Sequence, residues 1–443
     1  MENNRSFTRR KMTVLLLFGL IGQIAWSVEN MYFNLFVFDT IAQDLDAITL
    51  MVQLSGVAAT VVTLIAGTVS DKLGNRRTLI SAGYLIWGIT VALFGLISPS
   101  LFESLFGMEY EAAVKGALVT VIVGDCVMTL FGSTANDAAF SAWVTDNTTT
   151  DIRGRIESIV SILPLAAMLI VAGGFGIIVG AIGYTAMFIS LGAVISAVGI
   201  FGLFFVKDSD HLEKNGTLRD ILYGFKPSSI KSNLPFYVVL ILTAIYGIAC
   251  QIFMPYLIIY MKTQLAFSVI EYSIVFGFAI LGGAIINLFL GKLSDKISKV
   301  KAMYVATAIF SLGLFLMYLF NGMSKVQALI LFGIAGFIMI TGFIFISALS
   351  GALVRDNTPE RDTGKLQGVR MIFGVLIPML AGPAIGNAIN RALGTPLENG
   401  GADAMTTLHV PVKEIFLAAS LISLLIFAVI PIIDKISKKN ESK

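Results

Sequence analysis

Twelve stretches of largely apolar residues, separated by polar breaks, fill most of this 443-residue chain. Each is long enough for a helix to cross the hydrocarbon core, which takes about 20 apolar residues. The pattern predicts helices over 12–38, 48–69, 78–98, 115–142, 156–180 and 183–206 in the first half. The second half gives 235–261, 269–290, 302–321, 326–350, 367–390 and 412–433. Six fall on each side of one long hydrophilic stretch, Lys207–Asn233, which carries Asp208, Asp210, Glu213, Lys214, Arg219 and Asp220 before the Lys226-Pro227 break. The expected fold is therefore an all-α integral membrane protein of two six-helix bundles. One spans 1–206, a linker spans 207–233, and the second bundle with a short basic tail spans 234–443.

Composition agrees with this reading: hydrophobic residues are 56% of the chain and charged ones 13%, with a mean hydropathy of +0.85. With the N-terminus inside, 25 of the 31 Lys and Arg fall in cytoplasmic segments, among them RSFTRRK, DKLGNRR, DKISKVK and the tail DKISKKNESK. Basic loops stay cytoplasmic, so both termini are expected inside, in a multi-pass protein of the plasma membrane. The net charge of +3 then reports topology and contact with anionic lipid headgroups; no nucleic-acid partner is expected. The first apolar stretch is long enough to span and lacks a small-residue cleavage pattern, so it reads as an anchor and not a cleavable signal peptide.

Cys126 and Cys250 lie inside helices of different halves, and His211 and His409 are far from any ligand cluster. No metal centre, cofactor or hydrolytic site is expected. The absence of a G-x-x-x-x-G-K-[ST] loop gives no sign of ATP use, so the chain does not read as an enzyme.

The chain is internally duplicated. DNTTTDIRGRIE at Asp146–Glu157 returns as DNTPERDTGKLQ at Asp356–Gln367, and GTVSDKLGNRR at Gly67–Arg77 returns in degenerate form as GKLSDKISKVK at Gly291–Lys301. Repeats on this scale constrain architecture before any single residue does.

Two homologous six-helix halves with this loop between the second and third helices resemble the major facilitator superfamily, over nearly the whole chain. Its signature G-x-x-x-D-x-x-G-[RN]-[RK]-[RK] is met by Gly67, Asp71, Gly74, Asn75, Arg76 and Arg77; the second copy keeps Gly291 and Asp295 but has Ser298 at the second glycine. The resemblance implies that Asp71 faces the start of helix 11 near Gly364–Gln367, and Asp295 the start of helix 5 near Gly154–Glu157. The cytoplasmic gate would then comprise Gly67, Asp71, Arg76, Arg77, Asp146, Arg153, Arg155, Asp295, Asp356, Lys365 and Arg370. The alternative is that these loops only fix topology and cap helices.

Within the superfamily, Asn136-Asp137-Ala138-Ala139-Phe140 running through Trp143 to the DNT element is similar to helix 4 of the glycoside-pentoside-hexuronide (melibiose carrier-like) cation symporters. Gly364–Pro378 is similar to the segment around their helix 11. The resemblance implies a cation site at Asp137 beside a sugar site. Helix 2 departs from that branch, because Thr49–Val69 contains no acid, and where the branch has a sugar-binding acid in helix 1 this chain has Gln23.

Asp137 also stands out without any resemblance. A carboxylate inside a transmembrane helix is costly to insert and normally faces a bundle interior or cavity. Ser133, Asp137 and Ser141 recur every four residues and so share a face flanked by Asn136 and Trp143. The competing reading is a protonated acid bonded across helices for packing. Asp125 is about 18 Å away along the helix, too far to hold the same ion, and reads as an accessory on an access path.

On helix 1, Gln23, Trp26, Asn30 and Asn34 form a stripe of amides and one aromatic ring, suited to hydroxyl-rich solutes or to an interhelical amide network. Glu29 stands about 100° away, either pairing with Asp137 or carrying a proton itself. Tyr246 and Gln251 on helix 7, with Asn287 and Ser347, complete a midplane site in this reading. Arg370 either snorkels to the boundary or acts as a cavity cation, and Pro164, Pro378 and Pro383 mark bends.

The expectation is a secondary active transporter working by alternating access, coupling symport of a small sugar or glycoside to a cation. Protons are preferred over sodium, since one buried carboxylate can take up and release a proton whereas sodium needs several oxygen ligands. Its partners are the solute, the coupling cation and membrane lipids, and a monomer is expected. The alternatives are an exporter or lysolipid-type carrier on the same fold, and a non-transporting membrane sensor or scaffold.

Overall fold

The computed structural model describes residues 7–148, 150–209, 223–320, 323–359, 363–394 and 409–441, and they are helical almost throughout. Eleven continuous helical stretches are long and apolar enough to cross a membrane. One of them, Ile159–Phe205, breaks at Gly183, whose φ of 78° and ψ of 167° no side-chain-bearing residue readily adopts. The break divides it into two, so the described residues form twelve spanning helices.

These are α1 (Arg9–Ile41), α2 (Leu45–Leu73), α3 (Arg76–Phe94), α4 (Tyr110–Asp146), α5 (150–182) and α6 (184–205), then α7 (Leu234–Thr263), α8 (Val269–Ile297), α9 (Lys299–Leu319), α10 (Lys325–Asp356), α11 (363–393) and α12 (414–441). Every expected helix is present, most with added turns at their ends. A short amphipathic helix, Pro99–Phe106, lies between α3 and α4; Ser98 caps it and Pro99 occupies its first position.

The chain divides into two compact units: residues 1–42 with 57–218, and residues 43–56 with 219–443. The boundary between them falls inside the 207–233 stretch, and the start of α2 is set apart from the rest of that helix. The first turns of α2 belong to the second unit, because Asp46, Thr49 and Gln53 bond α7 and α11. Asp46 accepts from Asn387 Nδ2 at 2.6 Å and Arg391 Nε at 2.7 Å, and Gln53 Nε2 donates to the Leu380 carbonyl at 2.8 Å. The Tyr256 hydroxyl sits between Thr49 Oγ1, at 2.7 Å, and the Pro383 carbonyl, at 3.0 Å. Of the linker, residues 210–222 including His211 lie outside the described residues; 223–225 and 227–232 form short helical turns.

Small residues set the packing inside each unit. In the first, a Cβ on Gly88 of α3 would fall 2.4 Å from the Gly192 carbonyl of α6, so the two backbones nearly touch. An aromatic cluster of Phe33, Phe36, Phe94 and Phe188 fills the end away from the basic loops. In the second, α9 crosses α10 at Gly313 and Gly342, and Ser311 bonds Ser423 of α12 at 2.6 Å.

Several helices contain π-turns, in which hydrogen bonds close one residue later than in an α-helix. They occupy Glu29–Phe33 and Val37–Ile41 of α1, Ser133–Phe140 of α4, Val171–Phe175 of α5 and Ile372–Leu376 of α11. Each rotates the remainder of its helix by about 100° relative to the 3.6-residue register.

Candidate functional site

The first unit gathers its polar interior where α1, α3 and α4 cross. The π-turn of α4 carries Asp137, and the carboxylate is held from two sides: Ser133 Oγ donates to Oδ2 at 3.1 Å and Asn136 Nδ2 donates to Oδ1 at 3.1 Å. Ser133 and Asn136 are buried while Asp137 keeps part of its surface open. The Trp26 indole of α1 is directed toward the same carboxylate without completing a hydrogen bond. Asn136 is fixed in turn by Tyr84 of α3. The Tyr84 hydroxyl lies 2.8 Å from both Asn136 Oδ1 and the Phe18 carbonyl and donates to one of them at a time.

This constellation depends on Gly22. A Cβ there would fall 2.4 Å from Asn136 Oδ1 and 2.6 Å from the Tyr84 hydroxyl, so only glycine lets α1 lie over the pair. Trp26 packs against Trp87 of α3 with ring centroids 5.0 Å apart, and both rings press on Gly132 of α4.

Residues expected to share a face do not all do so. Ser141 bonds the Asn136 carbonyl, five residues back, at 3.3 Å, which is the π-turn register. It is rotated away from the Ser133–Asp137 edge. On α1, Asn30 Nδ2 donates to the Trp26 carbonyl at 2.8 Å and Asn34 Nδ2 to the Asn30 carbonyl at 3.2 Å. The π-turn between them takes Asn34 off the stripe: Asn34 is buried and Asn30 exposed, while Gln23 is half-buried.

Glu29 does not reach Asp137. Its Oε1 accepts from Thr129 Oγ1 at 3.3 Å, two turns of α4 short of Asp137, or about 12 Å of helix rise. The pairing considered from sequence gives way to a position one turn from Asp125, since Thr129 follows Asp125 by four residues on α4. The thiols of Cys126 and Cys250 are free.

In the second unit, the Tyr246 hydroxyl donates to the Phe343 carbonyl at 3.0 Å and its ring packs on Phe310 and Phe343. Asn287 Nδ2 joins α8 to the Thr341 carbonyl at 3.0 Å. Gln251 is half-buried where α7 crosses Gly382, and Ser347 is exposed. Tyr246 and Asn287 hold helices together within their own unit.

The repeated DNT elements prove to be helix ends. Asn147 and Asn357 close α4 and α10 with matching backbone angles (φ −99°, ψ 0°; φ −101°, ψ 1°). Each side-chain amide donates to the carbonyl four residues back, Trp143 at 2.9 Å and Leu353 at 2.8 Å. The Asp of each element pairs with the first residue of the third helix of its own unit: Asp146 with Arg76 at 3.0 Å, and Asp356 with Lys299 at 2.6 Å. Arg76 is buried and also donates to Ser70 Oγ at 2.5 Å; the second pair is half-exposed.

Arg77 bonds the Leu203 carbonyl through its side chain and Asp208 through its backbone N–H, at 2.8 Å for the latter. Gly67 has open space around it, Arg155 is exposed, and Arg370 is half-buried about two turns inside α11. The side chains of Asp71, Arg153, Asp295 and Lys365 lie outside the described residues.

Tyr84, Trp87, Thr129 and Gly22 were not singled out from sequence. None breaks the apolar pattern of its helix, so only the helix crossings expose them.

The sequence pattern of the Major Facilitator Superfamily matches residues 15–383 and, in a second match, residues 239–442. No curated protein matches the chain in sequence. Among solved structures, that of nucleoside transporter NupG is similar over 97% of this chain and 100% of its own, with a TM-score of 0.67 at 13% identity. A bacterial homologue of iron transporter ferroportin in an outward-facing state with soaked iron is similar over 96% and 98%, with a TM-score of 0.61 at 15% identity. A bacterial metal transporter aligns over 97% and 100% with a TM-score of 0.57 at 14% identity. At such identities the likeness is one of fold. With a family match across both halves and twelve helices in two six-helix sets, the chain belongs to the major facilitator superfamily and is a multi-pass membrane transporter, not an enzyme.

Proposed function

We propose that this transporter couples symport of a small hydroxylated solute, a sugar or glycoside, to a cation, with the proton as the coupling ion and Asp137 as its carrier. The observation that carries this reading is the Asp137 environment. An intramembrane carboxylate is oriented by Ser133 and Asn136, left partly open, and placed beside the Trp26 ring. A carboxylate with two neutral donors suits a transferable proton. A sodium ion would need several oxygen ligands, and hydroxyl and amide donors already turned on Asp137 do not supply them. An indole beside that carboxylate offers a stacking face for a sugar ring, and Gln23 and Asn30 lie on the same helix as directional donors and acceptors.

In this reading both termini are cytoplasmic and the two bundles alternate in access to the solute. The loops Gly67–Arg77 and Gly291–Lys301, with Arg153, Arg155, Lys365 and Arg370, form the cytoplasmic gate, and the DNT aspartates hold each loop to its own unit. Gln251, half-buried on α7, is the second unit's contribution to solute binding, and Tyr246 supports α7 from behind it.

The deciding experiment is a thermal-shift screen of sugars, glycosides and nucleosides at two pH values, with and without sodium, followed by proteoliposome uptake of the hits. Nucleosides belong in the screen because a ribose is part of each, and NupG, similar in fold, is a nucleoside transporter. An imposed pH gradient is expected to drive accumulation in the wild type and to fail in Asp137→Asn. Uptake that follows a sodium gradient and ignores pH would overturn proton coupling, and an unchanged profile in Asp137→Asn would remove that residue from the site.

A further inference from the structure

Four polar residues stand four apart on α4: Asp125, Thr129, Ser133 and Asp137. The structure joins them at both ends. At one end the Thr129 hydroxyl donates to Glu29 of α1, at 3.3 Å, one turn from Asp125; at the other the Ser133 hydroxyl donates to Asp137, at 3.1 Å. Glu29 and Asp125 are 8% and 1% exposed, and Thr129 and Ser133 have no exposed surface. Two carboxylates of neighbouring helices thus converge on one buried edge of α4, where the low dielectric disfavours a pair of negative charges.

Between the two ends lies one helical turn. Residues four apart on a helix have Cβ atoms about 5–6 Å from each other, close enough for one hydrogen-bonded water to join their hydroxyls. Gly132 occupies this turn, and the Trp87 and Trp26 rings fill the place of its missing side chain: Trp87 Cε2, bonded to Nε1, would lie 2.8 Å and Trp26 Cη2 3.0 Å from a Cβ at Gly132. The Trp87 indole N–H is fully buried and has no protein acceptor among the described residues. A buried donor of this kind calls for a partner such as an ordered water.

We propose that Glu29 and Asp125 form a second protonation station, sharing one proton, and that Thr129, a water held by Trp87, and Ser133 connect it to Asp137. The proton passes by hydroxyl relay: each hydroxyl accepts one proton as it donates its own, so charge moves along the edge and no bond other than O–H is made or broken. The transfer function of the ladder rests on Asp137 being the proton carrier; the existence of the second station does not.

Infrared spectroscopy of the purified full-length transporter in lipid tests both parts, reading the C=O stretch of protonated buried carboxyls at neutral pH. A band that survives Asp137→Asn and is lost or shifted in both Glu29→Gln and Asp125→Asn is expected. No change in that region for either of the latter, or loss of all signal in Asp137→Asn, overturns the station. If the band from the pair persists while no Asp137 band appears even on acidification to about pH 4, near the ordinary carboxyl range, proton carriage by Asp137 fails and the station stands. The ladder is read from deuterium exchange of the Glu29/Asp125 band after transfer to D2O. Thr129→Val and Ser133→Ala are each expected to slow it at least tenfold, and Thr129→Ser to restore it. Equal rates in all variants overturn the connection.

Discussion

Substituting Gly22 by alanine tests the assembly of the Asp137 site through one methyl group. The added Cβ would lie 2.4 Å from Asn136 Oδ1 and 2.6 Å from the Tyr84 hydroxyl, both well inside van der Waals contact. Either α1 shifts or the Tyr84–Asn136 bond of 2.8 Å opens. Overpacking a tight interior costs about 1–3 kcal/mol, and losing a buried hydrogen bond costs about 1 kcal/mol more. Replacing a helical glycine by alanine returns about 1 kcal/mol. The expected net loss is about 2 kcal/mol. The control is Gly180→Ala in α5, where nothing lies within 4 Å of the new Cβ and only the helix-forming gain of up to about 1 kcal/mol applies.

Unfolding of both variants by SDS titration in mixed micelles measures the difference, and solute binding reports whether Asn136 still orients Asp137. Asn136→Ala in the Gly22→Ala background supplies the cycle. With the amide gone, the cost of the methyl is expected to fall by about 1 kcal/mol, since the Asn136 contacts are relieved and the Tyr84 hydroxyl, freed from Asn136, is left to move aside. Equal stabilities for Gly22→Ala and Gly180→Ala, or full additivity with Asn136→Ala, would refute the claim that α1 is seated on this amide.

The two DNT aspartates should differ in weight despite their matching sequence. Asp146→Asn weakens the neutralisation of Arg76, which is 4% exposed, and is expected to cost about 2 kcal/mol or more, whereas Asp356→Asn, beside a half-exposed lysine, should cost under about 1 kcal/mol by the same titration. Gly183→Ala forces a side chain into a backbone region open almost only to glycine and should cost about 1–3 kcal/mol, read as a lowered unfolding midpoint. In the second unit, Asp46→Asn and Arg391→Gln should each weaken the attachment of the first turns of α2, and the double variant should be no worse than either alone; faster labelling of a cysteine placed at Thr49 would report the release. Additive effects would show that the two side chains act separately.

The sequence was enough for the helices, because membrane insertion imposes a length and an apolarity that a single chain displays without any neighbour. It was also enough for the duplication, and it marks Asp137 as an acid costly in hydrocarbon wherever its partners lie. The DNT repeat was legible as a repeat, though not as a pair of helix ends. Only the folded chain shows Asn147 and Asn357 turning their amides onto the carbonyls behind them, and each aspartate turning to its own unit's third helix.

Face-sharing arguments failed where π-turns intervene. Sequence spacing assumes 3.6 residues per turn, and one wider turn between Asn30 and Asn34, or between Asp137 and Ser141, redirects all that follows. Glu29 was visible as a costly acid but not as the neighbour of Thr129 and Asp125, since which helices cross, and at what height, is settled by packing of small residues such as Gly22, Gly132 and Gly88. Those glycines look alike in an apolar sequence. What distinguishes them is the atom of another helix that comes to rest where a Cβ would be, and that is a property of the tertiary structure alone.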